Sequence, residues 1–121
     1  LHFGTKVITM TQPTLKKALL QSDLVSLLED QKAKNITVLD VSKVTDITDL
    51  MIICTGNSNR HVKTLAQYLV SAAKAKGMTL FGIEGEKEGE WVLIDLVDII
   101  VHIMLPPERE FYNLEKLWSQ P

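Results

Sequence analysis

Hydrophobic positions along the chain follow two rhythms, one of helical spacing and one of short unbroken β-branched runs. From Thr14 to Lys34 the apolar set Leu15, Ala18, Leu19, Leu27 and Leu28 predicts a first helix. Ser22 and Asp23 mark a break or second cap in it, and Lys32 and Lys34 suit its negative end. Ile36–Val41 and Leu50–Thr55 then read as strands, the second buried on both faces because it carries no charge. A helix over about Arg60–Lys76 packs through Val62, Leu65, Ala66, Leu69, Ala72 and Ala73, with Asn57 or Ser58 as its cap and Gly77 as its left-handed stop. Met78–Ile83, Trp91–Leu96 and Ile99–Met104 complete the strands, and only Val97-Asp98 separates the last two. Pro106-Pro107 ends extended structure and starts a last helix over Glu108–Trp118, held down by Phe111, Leu114 and Leu117. The predicted fold is α/β, a small mixed sheet of about five strands covered by helices, in the order α-β-β-α-β-β-β-α. Its central β-α-β segment implies at least one parallel pair.

Leu1–Pro13 shows no period and reads as a flexible leader (1–13) to a single domain over 14–121. The 121 residues, 45% hydrophobic and 23% charged, suit one globular domain that needs no metal or disulfide for its core. A formal net charge of −2 argues against sequence-specific nucleic-acid binding, which draws on basic patches. No apolar run reaches the ~20 residues of a membrane helix, and no secretory or transit pattern is visible, so no membrane partner and a bacterial cytoplasmic location are expected. The lone Cys54 sits in a strand-like run and reads as a buried, inert thiol.

Three kinds of chemistry would draw on these residues. Gly56-Asn57-Ser58 lies between a strand and a helix, where free backbone N–H groups often bind phosphate. The turn lacks a Walker lysine and the repeated glycines of a dinucleotide loop. A metal-dependent nucleotidyl transferase also needs two carboxylates at alternate strand positions soon after such a turn, and Leu65–Ser71 has none. A tight turn with a helix cap is the plainer reading. His2, His61 and His102 show no ligand pairing, so no metal, cofactor or catalytic residue is expected. Cys54 has no activating group near it in sequence, though His102 could approach it in space.

Recognition is the better use of the unusual residues. Trp91, Leu93 and Asp95 share one strand face, while Val92, Ile94 and Leu96 form an apolar face for the core. A Trp beside a carboxylate suits a binding surface, because Trp offers a large contact area with few torsions to freeze. A core Trp near a capping carboxylate is the competing reading. His102 is one polar residue in an apolar row and reads first as a satisfied structural histidine. Arg109, Glu110, Glu115 and Lys116 read as solvated charges on the last helix, and Tyr112 and Trp118 either rim an aromatic surface with Trp91 or anchor that helix.

Four ordered motifs carry a resemblance: DLMIICTGNSNRHV over residues 49–62, GIEG over 82–85, WVLID over 91–95 followed by Asp98 and Val101-His102, and REFYNLEKLW over 109–118. Together they resemble the Iojap-related ribosomal silencing factors across about Leu15 to Trp118. The resemblance implies a nucleotidyltransferase-like fold without catalysis, and binding to the large ribosomal subunit through its fourteenth protein (uL-type). A domain placed there blocks joining of the small subunit, so translation falls when nutrients are short. The resemblance, with the strand-face argument, assigns Trp91 as anchor and Asp95, Asp98 and Glu84 as partners for basic side chains. Tyr112 is a rim contact and His102 a further contact, while Gly56, Ser58, Gly82 and Gly85 are architectural. The remaining readings are a small metal-dependent nucleotide-binding transferase using the Gly56–Ser58 turn, and a homodimer formed by the free protein through the same sheet face.

Overall fold

A computed structural model describes residues 4–119, with side chains from residue 15 onward; His2 and the start of the leader lie outside the described residues. The elements run α1 (Gly4–Asp30), β1 (Lys34–Asp40), β2 (Leu50–Thr55), α2 (Asn59–Ala75), β3 (Gly82–Glu84), β4 (Trp91–Asp95), β5 (Ile99–Met104), α3 (Pro106–Tyr112) and α4 (Leu114–Trp118). The five strands lie in the order β1-β2-β5-β4-β3. β2 and β5 are parallel, and every other neighbouring pair is antiparallel. This is the mixed α/β sheet expected from the sequence, but the parallel pair is not formed by the two strands that flank α2: that helix carries the chain from β2 to β3 at the far edge, and the antiparallel return through β4 brings β5 beside β2.

The uncharged runs take the interior. β2 and β5 are the most deeply buried strands, because each has a neighbour on both edges and apolar residues on both faces. One face of the sheet meets α1 and α2: Ile52, Cys54, Val101, Ile103, Val92 and Ile94 pack under Leu24, Leu28, Val62, Leu65 and Leu69. The other face holds a smaller cluster of Met51, Ile53 and Met104 under Leu114, with Trp91 and Trp118 against it.

Several local expectations changed. α1 begins at Gly4, before Thr14, and runs unbroken through Ser22 and Asp23 to Asp30. Leu24 and Leu28 are buried against the sheet, while Leu15 and Leu19 stay exposed. β3 is shorter than the Met78–Ile83 run suggested, because Met78 and Leu80 pack beneath α2 as loop residues. The expected last helix is two helices. Asn113 adopts a left-handed conformation (φ 47°, ψ 58°) and turns the chain between them. That turn takes Phe111 and Leu117 out to solvent and leaves only Leu114 buried.

Candidate functional site

β4 alternates half-buried Trp91, Leu93 and Asp95 with buried Val92 and Ile94, as a strand with one core face must. Register brings further candidates to the same face. Glu84 opposes Leu93, Leu93 opposes His102, and Gly82 opposes Asp95. Trp91 donates its Nε1–H to Nδ1 of His102 at 3.0 Å, and the Trp91 ring lies 4.7 Å from that of Tyr112, tilted by 47°. Phe111 stands edge-on to Tyr112, with centroids 5.0 Å apart. The aromatic row therefore runs from the sheet into solvent, with Tyr112 49% and Phe111 80% exposed.

His102 is 5% exposed, and burial pushes its pKa down to about 4. It is neutral near pH 7, as its acceptor role requires, and it reaches solvent far less than Trp91 does. Asp95 has a local task as well, since Oδ1 accepts the Val97 N–H at 2.8 Å. That bond supports a hairpin turn in which Val97, a β-branched residue, sits at φ 74°. Asp98 separates from the group altogether. It lies at the far end of β4 from Trp91, beyond roughly 13 Å of strand, in a cleft of about 460 Å³ with Lys16, Lys17 and Lys76. Trp91, Glu84, Asp95, His102 and Tyr112 thus gather on one face, and Asp98 does not.

The Gly56 turn is occupied by its own neighbours. The Gly56 N–H donates to the Met104 carbonyl, the Asn57 N–H to Nδ1 of His61, and the His61 N–H to Oγ of Ser58. His61 Nε2 in turn donates to the Gln31 carbonyl at 2.8 Å. Ser58 is the N-cap of α2. A Cβ on Gly56 would lie 2.7 Å from Cγ2 of Val62, so glycine lets the helix sit close. These bonds favour the turn-and-cap reading over a phosphate cradle. Cys54 pairs with Ile103 and faces the helices, whereas His102 pairs with Ile53 and faces away, so the two cannot meet across the sheet. Burial raises the Cys54 thiol to about 12, partly offset by Arg109. Among the described residues no group of His, Cys, Asp and Glu could hold a metal ion.

Arg109 and Glu115 depart most from expectation. Arg109 turns inward, donating to Thr55 Oγ1 at 2.8 Å and Thr37 Oγ1 at 3.2 Å, and its guanidinium pairs with both carboxylate oxygens of Glu115. The Arg109 hydrogen bonds hold the Glu115 carboxyl below its usual range. The clamp ties α3 and α4 to β1 and β2. An arginine and a glutamate on either side of an asparagine, the residue most tolerant of a left-handed turn after glycine, were the available sequence signal. Gly85 is required next to Trp91: its φ is +85°, and a Cβ there would lie 2.0 Å from the Trp91 carbonyl oxygen. Gly82, by contrast, has open space around it.

The family model described as ribosomal silencing factor during starvation matches residues 13–121. The chain belongs to this family. It is 48% identical over 92 residues to ribosomal silencing factor RsfS of Chromobacterium violaceum, covering 76% of this chain and 75% of that one. The Haemophilus influenzae RsfS is 44% identical over 96 residues, covering 79% and 94%. A crystal structure of a Chromobacterium violaceum protein superposes with a TM-score of 0.81 at 42% identity, covering 86% of this chain and 88% of the other.

Within this silencing-factor chain the four motifs separate by physical role. Residues 49–62 supply β2, the Gly56 turn and the α2 cap, all of them packing. The 91–95 and 109–118 motifs mix buried supports (Val92, Ile94, Leu114, Arg109) with accessible aromatics (Trp91, Phe111, Tyr112). Among the described residues no helix is long and apolar enough to cross a membrane.

Proposed function

We propose that the chain silences the ribosome as an obstacle, working in the cytoplasm without catalysis. It binds the large subunit through its fourteenth protein (uL-type), blocks the approach of the small subunit, and represses translation under nutrient limitation. Residues 14–121 are the working domain. The observation that carries this reading is the half-covered sheet face, where Trp91 stacks on Tyr112 with Glu84 and Asp95 on the same side. An aromatic anchor beside carboxylates complements a basic ribosomal protein, with the charges guiding encounter and the rings holding the complex. Family membership supports the ribosomal role, and the internally satisfied Gly56 turn favours it over nucleotide transfer. The same face serves a homodimer when the protein is free.

Sedimentation tests this directly. Purified subunits are mixed under conditions that permit joining, with and without the protein. The expected result is comigration with the large subunit and loss of joined ribosomes. Protein left at the top of the gradient while joining proceeds would sink the reading. Trp91→Ala should weaken large-subunit binding by at least ~2 kcal/mol, as truncating a central aromatic anchor does.

A further inference from the structure

Trp91 opposes Met104 across the β4–β5 pair, and His102 lies two residues back along β5 on the same face. The indole reaches its partner along that diagonal, with Nε1–H donating to His102 Nδ1 at 3.0 Å and the ring centroids 5.8 Å apart. The residues that flank His102 in register, Leu93 on β4 and Ile53 on β2, offer no side-chain acceptor. Tyr112 of α3 meets the same indole from a second element, at 4.7 Å. The pose of Trp91 is thus set by a bond from the sheet and a ring from the helix above it. His102 itself is buried, so a partner docked on this face meets the indole and not the imidazole. Burial also keeps the imidazole neutral near pH 7, with its proton on Nε2 and Nδ1 free to accept.

We propose that His102 is a positioning residue for ribosome binding: it touches no partner and fixes the indole of Trp91 in the orientation that the partner meets. The inference rests on the silencing reading above, in which Trp91 is the anchor, and deepens it by naming what orients that anchor. An indole free to turn would have to be frozen at docking, and a bond made before encounter removes that cost. Histidine suits the position because a neutral ring accepts a hydrogen bond without a charge being buried. A carboxylate in the same apolar row would carry its charge into it.

The test joins subunit binding to nitrogen-edited NMR of the full chain, whose two tryptophans are Trp91 and Trp118. In wild type the Trp91 indole N–H should exchange with water at least about tenfold more slowly than in an unfolded chain. His102→Leu keeps the row filled but removes the acceptor. It should abolish that protection and weaken binding to purified large ribosomal subunits about fivefold, the worth of one hydrogen bond. His102→Asn puts an acceptor oxygen on the same Cγ that carries Nδ1, and should recover both. In a Trp91→Phe background, which lacks the N–H, His102→Leu should change binding by less than about twofold. If His102→Leu loses the protection yet binds as tightly as wild type, the positioning role is overturned and the silencing reading stands. The same holds if it costs as much binding without the indole N–H as with it. An unprotected Trp91 N–H in wild type also overturns the role, whether or not the variants fold. Wild-type protein that fails to bind the subunits overturns both.

Discussion

The two faces of the sheet are stabilised in different ways. The face under α1 and α2 is closed by interdigitated aliphatic side chains, with Leu24, Leu28, Leu65 and Leu69 all fully buried. The face under α3 and α4 has a smaller apolar cluster, with Leu114 the one buried residue of those two helices and Trp118 packed beside it, and adds the Arg109 clamp. Apolar burial is non-directional and tolerates small shifts, whereas a guanidinium held by two threonines and a carboxylate allows one placement. The helix pair that carries Phe111 and Tyr112 is therefore positioned by hydrogen-bond geometry, with its apolar residues free to face outward. One face is built to fold, and the other is built to present.

Substitutions should separate the faces by size of effect. Leu69→Ala, under α2, should lower unfolding free energy by about 2–5 kcal/mol, the range for emptying a closed core site. Leu117→Ala, 68% exposed, should stay within about 0.5 kcal/mol. Urea denaturation of both variants checks the contrast, and equal losses would dissolve it.

Acid should act next, through His102 and Glu115 on the face under α3 and α4. His102 takes its proton near 6.5 in the unfolded chain but near 4 when buried. The unfolded state binds that proton first, so stability is complete above about 6.5 and falls as pH drops toward 4, by up to about 3 kcal/mol. In the folded protein its accepted bond from Trp91 persists until the ring itself takes a proton, near pH 4. Glu115 responds lower. Its folded pKa lies below the ordinary 4.5, so its contribution is full above that value and is lost as pH falls through the folded pKa. Stability measured from pH 7.5 to 4 in wild type and His102→Gln should show a slope between 6.5 and 4 that the variant lacks.

Removing the clamp should have a smaller global effect than acid and the most local one. Arg109→Met keeps the apolar stem and strips the donors from Glu115, Thr37 and Thr55, costing about 2 kcal/mol. Hydrogen exchange should rise in α3 and α4 while α2 stays protected. Uniform loss of protection would mean that the clamp supports the whole fold.

Much of the helix-covered face was legible in the sequence, for a local reason. β2 and β5 begin and end where their uncharged runs do, Val92 and Ile94 alternate inward, and Ser58 caps α2 as its residue type and position indicate. Gly77 at φ 78° ends that helix as expected. The presenting face was read only in part. Trp91 and Tyr112 do come together, but His102 supports Trp91 from within, Asp95 braces a turn, and Asp98 belongs to another cleft.

The divide follows from the range of the forces involved. Periodicity, caps and turn residues act over a few positions, so the sequence by itself determined β2, β5, the α2 helix, the apolar face of β4 and, through four ordered motifs, the family. Tertiary structure alone decided that Leu24 and Leu28 of α1 are buried while Leu15 and Leu19 are not, that Asn113 splits the last helix, and that Arg109 turns in while Phe111 turns out. Each of those outcomes depends on groups far apart in the chain. Thr37 and Thr55 lie 72 and 54 residues from Arg109, and no local pattern records that they will meet.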